Sequence, residues 1–318
     1  AVLVDAKDFG LNFNFNISYN RGKIDKLNGS SFWQSSSWAG TAAAGIEDFL
    51  VEEGGRLGEV YGYRTDGFYT ADDFTFDAEK GTYALKAGVN DCSSLIGGKV
   101  YPGSIKLKAN EEGEYKKERL GNTVPTVSGG FGLNARWKGF DFTAFFNYSL
   151  GNKIVNATKL GSSFYSGSSK NWNINDHFTS SNRYSWIDPS TGTNLLSSAS
   201  IKANGEAWTI NRLNEVNTGS SIWNPAAATV MPLVDWAVED GSFLRVNNIT
   251  IGYTLPKLLV NKLNIQNIRI YVTGYNLHCF TKYSGTDPEV DCCTSTPMTP
   301  GIDYAAYPKS RSFVGGIN

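Results

Sequence analysis

The chain has 318 residues and a formal net charge of −1, so nothing favours nucleic-acid binding, which requires a basic surface. Charged residues make up 19% of it and aromatic residues 13%, and no run of about 20 apolar residues is present, which excludes a helical membrane protein. The composition does not exclude a membrane β-barrel, because lipid-facing and lumen-facing residues alternate in such a barrel and leave its mean hydropathy ordinary.

The first predicted strand runs from Phe9 to Asn20. Over these twelve residues large apolar side chains occupy one parity, and Gly, Asn and Ser occupy the other. Such strict alternation indicates a strand with one apolar and one polar face. Its length matches the roughly 9–11 residues that a tilted strand needs to cross a bilayer. Residues 1–5 indicate the end of a preceding strand.

A hairpin is predicted in the middle of the chain. Val127 to Trp137 and Phe140 to Ser149 both alternate, and Lys138-Gly139 between them makes a two-residue turn. Phe145 is the exception, because it falls on the polar parity. Arg136 also falls on the polar parity, where a lumen-facing charge costs little, whereas a lipid-facing Arg would cost ~2–4 kcal/mol at mid-membrane.

Residues 150–243 are rich in Ser, Asn, Thr, Gly and Trp and are interpreted as one long connection. A loop of that length would count against the assignment in a compact soluble domain. Outer-membrane barrels have short periplasmic turns and long extracellular loops. The asymmetry therefore predicts that 150–243 lies outside the cell, and that the turn at 138–139 and the connection at 256–265 lie on the periplasmic side.

The last third of the chain predicts further strands. Residues 248–255 alternate until Pro256, which ends the strand because it has no N–H to donate. Residues 257–263 predict one or two helical turns. Alternation returns at 268–273 and again at 311–318.

These patterns predict an all-β protein, a transmembrane antiparallel β-barrel with long extracellular loops. The alternative is a soluble β-sandwich, which also alternates but has strands nearer 5–6 residues. Strands of ten to twelve residues with Phe and Tyr along one face favour the membrane.

Neither metal binding nor catalysis is predicted. The four cysteines lack a CxxC pair or an accompanying histidine pattern, which argues against zinc: Cys92, Cys279, Cys292 and Cys293. Two alternatives remain open: a disulfide between the vicinal pair at 292–293 and one of the other two cysteines, as an oxidising compartment allows, or four free thiols. His177 and His278 have no paired nucleophile in the sequence, so we expect no enzyme, no catalytic residue and no cofactor.

Several long motifs, in order along nearly the whole chain, resemble the SusC/RagA-like TonB-dependent outer-membrane transporters. The segment Glu239–Pro256 is similar to the family's "DGSFLRLKNITLGYTLP" and Ile268–Leu277 to "LRVYVTGQNL". Thr281–Val290 resembles "TKYSGYDPEV", Tyr307–Phe313 resembles "YPxxRTF", and Tyr61–Phe68 resembles "YGYKTDGIF". Residues 102–114 depart from the acidic Gly-rich stretch found in many members, and no calcium loop is predicted there.

The resemblance implies TonB-dependent import of a nutrient oligomer across the outer membrane of a Gram-negative bacterium. An oligosaccharide is slightly preferred over an oligopeptide, with a SusD-like surface lipoprotein as a lid and with outer-membrane lipid around the barrel. Barrels of this type have ~22 strands, and the chain would supply roughly eight or nine. Residues 1–318 are accordingly expected to be the C-terminal portion of one barrel domain, a mature fragment without the plug and the TonB-contacting segment.

Five tryptophans fall in the 150–243 region and are candidates for ligand or lid contact: Trp172, Trp186, Trp208, Trp223 and Trp236. Sugars stack on aromatic faces, and exposed Trp is costly unless it is used. Packing of the loops or contact with the lid is the favoured role for any one of them. Two other functions stay open, a soluble or surface-attached glycan-binding protein and a passive porin.

Overall fold

The computed structural model describes residues 1–35, 47–165, 173–260, 265–292 and 297–318. In chain order its strands are β1 Val2–Asp5, β2 Phe9–Tyr19, β3 Phe32–Ser35, β4 Glu47–Val51, β5 Glu59–Gly62, β6 Thr65–Phe68, β7 Phe74–Asp77, β8 Thr82–Leu85, β9 Ile105–Leu107, β10 Glu118–Asn122, β11 Val127–Trp137, β12 Phe140–Leu150, β13 Lys153–Asn156, β14 Val238–Asp240, β15 Phe243–Thr254, β16 Arg269–Thr281, β17 Ile302–Asp303 and β18 Ser312–Ile317. Its helices are α1 Ser93–Ile96, α2 Ala157–Gly161, α3 Ser198–Val216 and α4 Lys257–Val260, with single 3-10 turns at Ala71–Asp73, Pro225–Ala227 and Asp235–Ala237.

The longest strands form one antiparallel sheet of seven in the order β1-β2-β11-β12-β15-β16-β18, which we call the main sheet. The predicted strands are confirmed as its members. β2 ends one residue earlier than predicted, β12 ends one residue later, and β11 matches. Lys138 and Gly139 both have positive φ, 45° and 92°, as a tight two-residue hairpin turn requires.

The main sheet has an apolar face and a polar face, as the alternation predicts. Phe15, Phe131 and Phe146 lie side by side on β2, β11 and β12, and the last two rings stack 4.7 Å apart. Their polar neighbours Asn134 and Thr143 face the other way and share a 3.1 Å hydrogen bond. Cross-strand pairs of this kind stabilise a sheet by roughly 0.2–1 kcal/mol each.

The region 150–243 connects the neighbouring strands β12 and β15, and the structure corrects the sequence interpretation in one respect, because this connection is folded. It contains α2, α3, β13, β14 and two of the 3-10 turns. The Ser197 side chain accepts a hydrogen bond from Ser200 N–H and caps α3, and Gly205 interrupts that helix with φ +77°. α3 alternates apolar with Ser, Asn and Thr residues without a clear helical stripe, so its sequence carries little period-3.6 signal.

Residues 32–35 and 47–122 fold with the 150–243 region into a second body, which we call the loop body. β3, β4, β5 and β10 make a four-stranded sheet there, and β6–β9 and β7–β8 make two-stranded ones. α3 packs against β7, where Glu206 Oε1 accepts a 3.0 Å hydrogen bond from Phe76 N–H. β13 pairs with β14 and, in parallel, with β17, which ties the loop body to the chain after the main-sheet strand β16.

The buried apolar core lies in the loop body. Its members include Val60, Phe74, Leu160 and Leu213, all at most 1% exposed, and none of them comes from a strand of the main sheet. Among the described residues no helix has both the length and the apolar content to cross a membrane.

Two cysteine predictions can be compared with the structure. Cys92 is a buried free thiol within hydrogen-bond distance of the Tyr69 hydroxyl, and Cys279 on β16 is a half-buried free thiol. Neither is bonded to the vicinal pair. Cys293 and residues 261–264 of the predicted helical turns lie outside the described residues.

Candidate functional site

The apolar face of the main sheet is exposed. A row of large side chains crosses six strands in register beside the 138–139 turn: Phe9, Trp137, Phe140, Tyr253, Ile270 and Ile317. Trp137 is 55% exposed and Ile317 is 73% exposed. Further along the strands the same face carries exposed Phe15, Ile17, Ile251, Val272, Phe280 and Phe313. A continuous apolar surface of this size marks an interface with another apolar phase.

The opposite face is polar and mostly uncharged in its middle. Thr250 and Thr273 share a 2.8 Å hydrogen bond across β15 and β16. Phe145, the exception to the alternation, lies on this face against glycines: a Cβ at Gly130 would stand 3.0 Å from its ring. The ring therefore covers backbone that lacks side chains, which explains why a Phe is tolerated at a polar position.

Charges on the polar face are paired near the turn end. Arg269 grips Asp141 with two hydrogen bonds, of 2.9 and 2.5 Å. Arg136 pairs with Asp5 on this face, where its parity placed it.

A buried ion network lies at the other end of the polar face. Arg245 on β15 is 4% exposed and bonds at 2.5 Å both to Asp287, also 4% exposed, and to Glu289. Lys309 adds a 2.7 Å contact to Glu289. Glu289 N–H and Lys309 N–H donate to the Asp287 carboxylate. A charge as buried as that of Arg245 must be paired. Its pairing joins three of the sequence motifs and fixes the segments around residues 287–289 and 309 to the sheet.

Two concave regions flank those segments. The inner cavity, of about 620 Å³, lies between the polar face and the segments at 288–290 and 300–301. Asn147 lines it and donates to Glu289 Oε1 at 3.2 Å, while its buried Oδ1 has no hydrogen-bond partner among the described residues. The outer cleft, of about 420 Å³, lies between residues 175–177 and residues 284–286 and 305–308.

Beside the outer cleft a buried lysine is fully engaged. Lys159 Nζ lies 3.1 Å from Glu239 Oε1 and 4.0 Å from the Trp236 ring centroid, and donates to Trp236 O at 3.0 Å. Burial would raise the pKa of Glu239, but hydrogen bonds from Ser284 and the Lys159 charge hold that pKa below its usual value. Glu239 is therefore ionised at neutral pH and supplies the counter-charge next to Lys159.

Two other ionisable groups of the loop body are perturbed. Hydrogen bonds from Arg212 and Ser190 hold the pKa of the Asp188 carboxyl well below its usual value. Burial, with the neighbouring Tyr101, raises the pKa of Tyr83 to about 12. Among the described residues no group of three or more His, Cys, Asp or Glu side chains is placed to hold a metal ion.

The structure places four of the five candidate tryptophans. Trp223 is 5% exposed, donates to Ser163 O at 3.1 Å and meets Trp236 edge-on at 5.0 Å. Trp186 donates to Pro102 O at 2.6 Å and packs on Tyr101. Trp208 on α3 is 43% exposed, and Trp172 lies outside the described residues. Trp223 and Trp236 thus pack the loop body, and ligand or lid contact by any of the five stays a prediction.

Known proteins resemble this chain over nearly its whole length. It is 29% identical over 98% of its residues to TonB-dependent receptor P3 of Formosa agariphila, covering 27% of that protein. It is 25% identical over 96% of its residues to TonB-dependent receptor P39 of the same organism, covering 28% of it. A shorter stretch of 86 residues, 26% of the chain and 8% of the relative, is 34% identical to TonB-dependent receptor SusC of Bacteroides thetaiotaomicron. No protein-family model matches the chain.

Solved structures share the fold. The RagAB peptide transporter aligns with 99% of the chain at a TM-score of 0.55 and 20% identity, covering 28% of that structure's chain. The RagAB peptide importer in its "open-open" state aligns with 99% of the chain at a TM-score of 0.54 and 20% identity, covering 27%. The antiparallel sheets with few helices thus match the fold of a TonB-dependent transporter.

In sequence and fold the chain is thus similar to TonB-dependent receptors. These comparisons confirm the resemblance to SusC-like receptors that the motifs carry. The relatives and neighbours are named as receptors, transporters and importers, in agreement with the prediction that the protein is not an enzyme. The chain spans about a quarter of the length of the two relatives that it matches throughout, 27% and 28%.

Proposed function

We propose that the chain forms part of the wall and outer loops of an outer-membrane barrel that imports a nutrient oligomer with energy from TonB. The observation that carries the proposal is the division of apolar residues between the two regions. The loop body buries its core, whereas Ile251, Val272 and Phe313 on the main sheet are 55–68% exposed, and the opposite face of that sheet is polar. Lipid acyl chains are the phase that such a face fits.

The relatives support the finer features of this proposal. In TonB-dependent transporters ~22 strands close around a plugged lumen, and the seven strands of the main sheet are a segment of such a wall. The row of large side chains beside the 138–139 turn then lies at the periplasmic interface of the membrane, and the loop body lies outside the cell. Plug and TonB contact belong to other parts of the receptor.

Membrane insertion is tested by placing a charge on either face of the sheet in the full-length receptor. Ile251→Arg puts the charge on the apolar face, where an Arg costs ~2–4 kcal/mol at mid-membrane, and we expect a sharp loss of folded receptor in the outer membrane. Asn14→Arg is the matched control on the polar face and should leave the amount close to wild type. Heat-modifiable migration of outer-membrane fractions on gels measures both.

Two outcomes would replace the proposal. A receptor that stays monodisperse without detergent, with Ile251→Arg harmless, would favour the soluble or surface-attached glycan-binding protein. A large, steady single-channel conductance of the intact receptor would favour a passive porin.

We further propose that the receptor works with a SusD-like lipoprotein, and that the imported oligomer is an oligosaccharide rather than a peptide. The SusC relative supports the first part, and the outer cleft described below supports the second. The solved neighbours are described as peptide importers, which makes peptide the direct competitor. Mass spectrometry of the lipoprotein and ligand that copurify with the receptor separates the two, and a bound peptide would contradict the choice of oligosaccharide.

A further inference from the structure

We propose that the outer cleft is a binding subsite for one uncharged sugar ring, with Tyr307 as its stacking platform. The inference rests on the proposed import function and adds the place and the residues. Tyr307 is 88% exposed, more than any other aromatic side chain in the described ranges. A Tyr ring offers a large apolar face with a polar tip, and at this exposure most of that face is open to a ligand.

The backbone that carries Tyr307 is fixed on both sides. Two residues before it, Ala305 N–H donates to Thr158 Oγ1 at 2.8 Å. Two residues after it, Lys309 N–H donates to Asp287 and Lys309 Nζ bonds Glu289 at 2.7 Å, within the buried Arg245 network. Little backbone entropy is therefore lost when a ligand settles on the ring, which favours binding.

The wall of the cleft across from Tyr307 is polar and equally ordered. The Asn175 side chain accepts from His177 N–H at 3.0 Å and contacts the imidazole Nδ1 at 2.5 Å. The imidazole meets Trp236 edge-on at 5.8 Å, which holds it in place. Between these two residues Asp176 points its carboxylate into solvent with 97% of its side chain exposed.

The apolar and polar groups of the cleft match those of a pyranose ring. Ala305, Ala306 and Pro308 add apolar surface beside Tyr307, and Thr286 on the same side adds a hydroxyl group. On the other side, Asn175 and Asp176 offer an amide and a carboxylate. A sugar ring presents an apolar C–H face to an aromatic and hydroxyl groups around its rim. Sites of this kind combine an apolar surface with a few convergent polar groups.

The charges around the cleft favour an uncharged ligand. Lys159 is compensated by Glu239 at 3.1 Å, and Lys309 by Glu289 at 2.7 Å. Asp303 is buried and accepts a 2.6 Å hydrogen bond from the Tyr283 hydroxyl. The exposed Asp176 therefore sets the sign at the surface of the cleft, with His177 as its neighbour at 3.2 Å. A uronic acid or a peptide carboxylate would meet like charge there.

The test uses the full-length receptor, purified in detergent, on a printed array of neutral oligosaccharides, uronic-acid oligosaccharides and oligopeptides. We expect wild type to bind neutral oligosaccharides and Tyr307→Ala to weaken that binding about tenfold, the equivalent of ~1.4 kcal/mol of lost stacking. Tyr307→Phe keeps the ring and should retain binding. Tyr165→Ala is the matched control, since Tyr165 is 52% exposed and lies outside the cleft.

Each other result overturns the subsite. Equal neutral binding by wild type and Tyr307→Ala would remove its platform. Binding confined to acidic glycans or to peptides, or no neutral binding at all, would remove its ligand class. Failure of the import proposal shows elsewhere, in the fractionation of Ile251→Arg and Asn14→Arg, so the two failures are distinguishable.

Discussion

The main sheet and the loop body place their apolar side chains in opposite ways. In the loop body Leu160, Leu213 and Val60 are fully buried in a common core, as in a water-soluble protein. In the main sheet Phe15, Ile251 and Phe313 stand 55–68% exposed on one face. Under the proposed function the chain folds for two solvents, lipid around the main sheet and water around the loop body.

The largest expected effect concerns the ion network that fixes residues 287–289 and 309 to the main sheet. Arg245→Ala leaves Asp287 buried without its counter-charge, so we expect the free energy of unfolding to fall by about 3–5 kcal/mol. Urea unfolding of the full-length receptor in detergent, followed by Trp fluorescence, measures it. Arg136→Ala is the control, because Arg136 and Asp5 are 63% and 68% exposed and such a pair contributes at most ~1 kcal/mol. Similar losses in both variants would mean that the network contributes no more than a surface pair.

The second prediction compares apolar truncations in the two regions. Leu160→Ala opens a cavity in a packed core and should cost about 2–5 kcal/mol. Val272→Ala on the apolar face should cost only about 1–2 kcal/mol, at ~0.8 per CH₂, because fluid acyl chains or detergent close over the site and leave no cavity. The same unfolding assay compares them. Equal costs would contradict a lipid-facing sheet and indicate a packed protein partner on Val272.

The smallest expected effect is a pH dependence confined to the loop body. Arg212 depresses the pKa of Asp188, so the stability that this pair contributes is complete above about pH 4, the ordinary Asp pKa, and is lost as the pH falls through the depressed value. Wild type should therefore lose more stability than Asp188→Asn between pH 7 and pH 3. Parallel pH profiles of the two proteins would show that the pair is not coupled to folding.

The sequence predicted the main sheet well for a physical reason. A strand between two phases must alternate along its length. β2 and β11 do so over 11 residues each, and β12 does so with Phe145 as its one exception. The loop body lacked such a signal. Its strands of three to five residues are too short to show a period, and α3 buries Ile201 and Leu213 among Ser and Asn residues.

The candidate site was predicted in part. The motifs around Arg245, Asp287 and Lys309 were singled out as segments, but their pairing joins residues 42 and 22 positions apart, which no local pattern encodes. Tyr307 lay within a recognised motif, and its exposure was invisible because an aromatic residue in a motif is as often buried. The tryptophans were chosen as candidates because five of them fall in one region, but Trp223 is buried in the packing of the loop body.

One irregularity of β15 reverses which residue parity faces the apolar side of the sheet. Phe145 pairs with Asn248 and Phe146 with Val246, so Asn247 is an extra residue in a β-bulge. In a strand without a bulge, Arg245 would lie on the apolar face, because it is four residues from the apolar Ile249. The bulge instead places it on the polar face, opposite Asn147. The alternation of apolar and polar residues in β15 therefore changes parity at Asn247. The single extra residue places a buried cation on the polar face at this end of β15 and leaves the apolar face of the strand continuous.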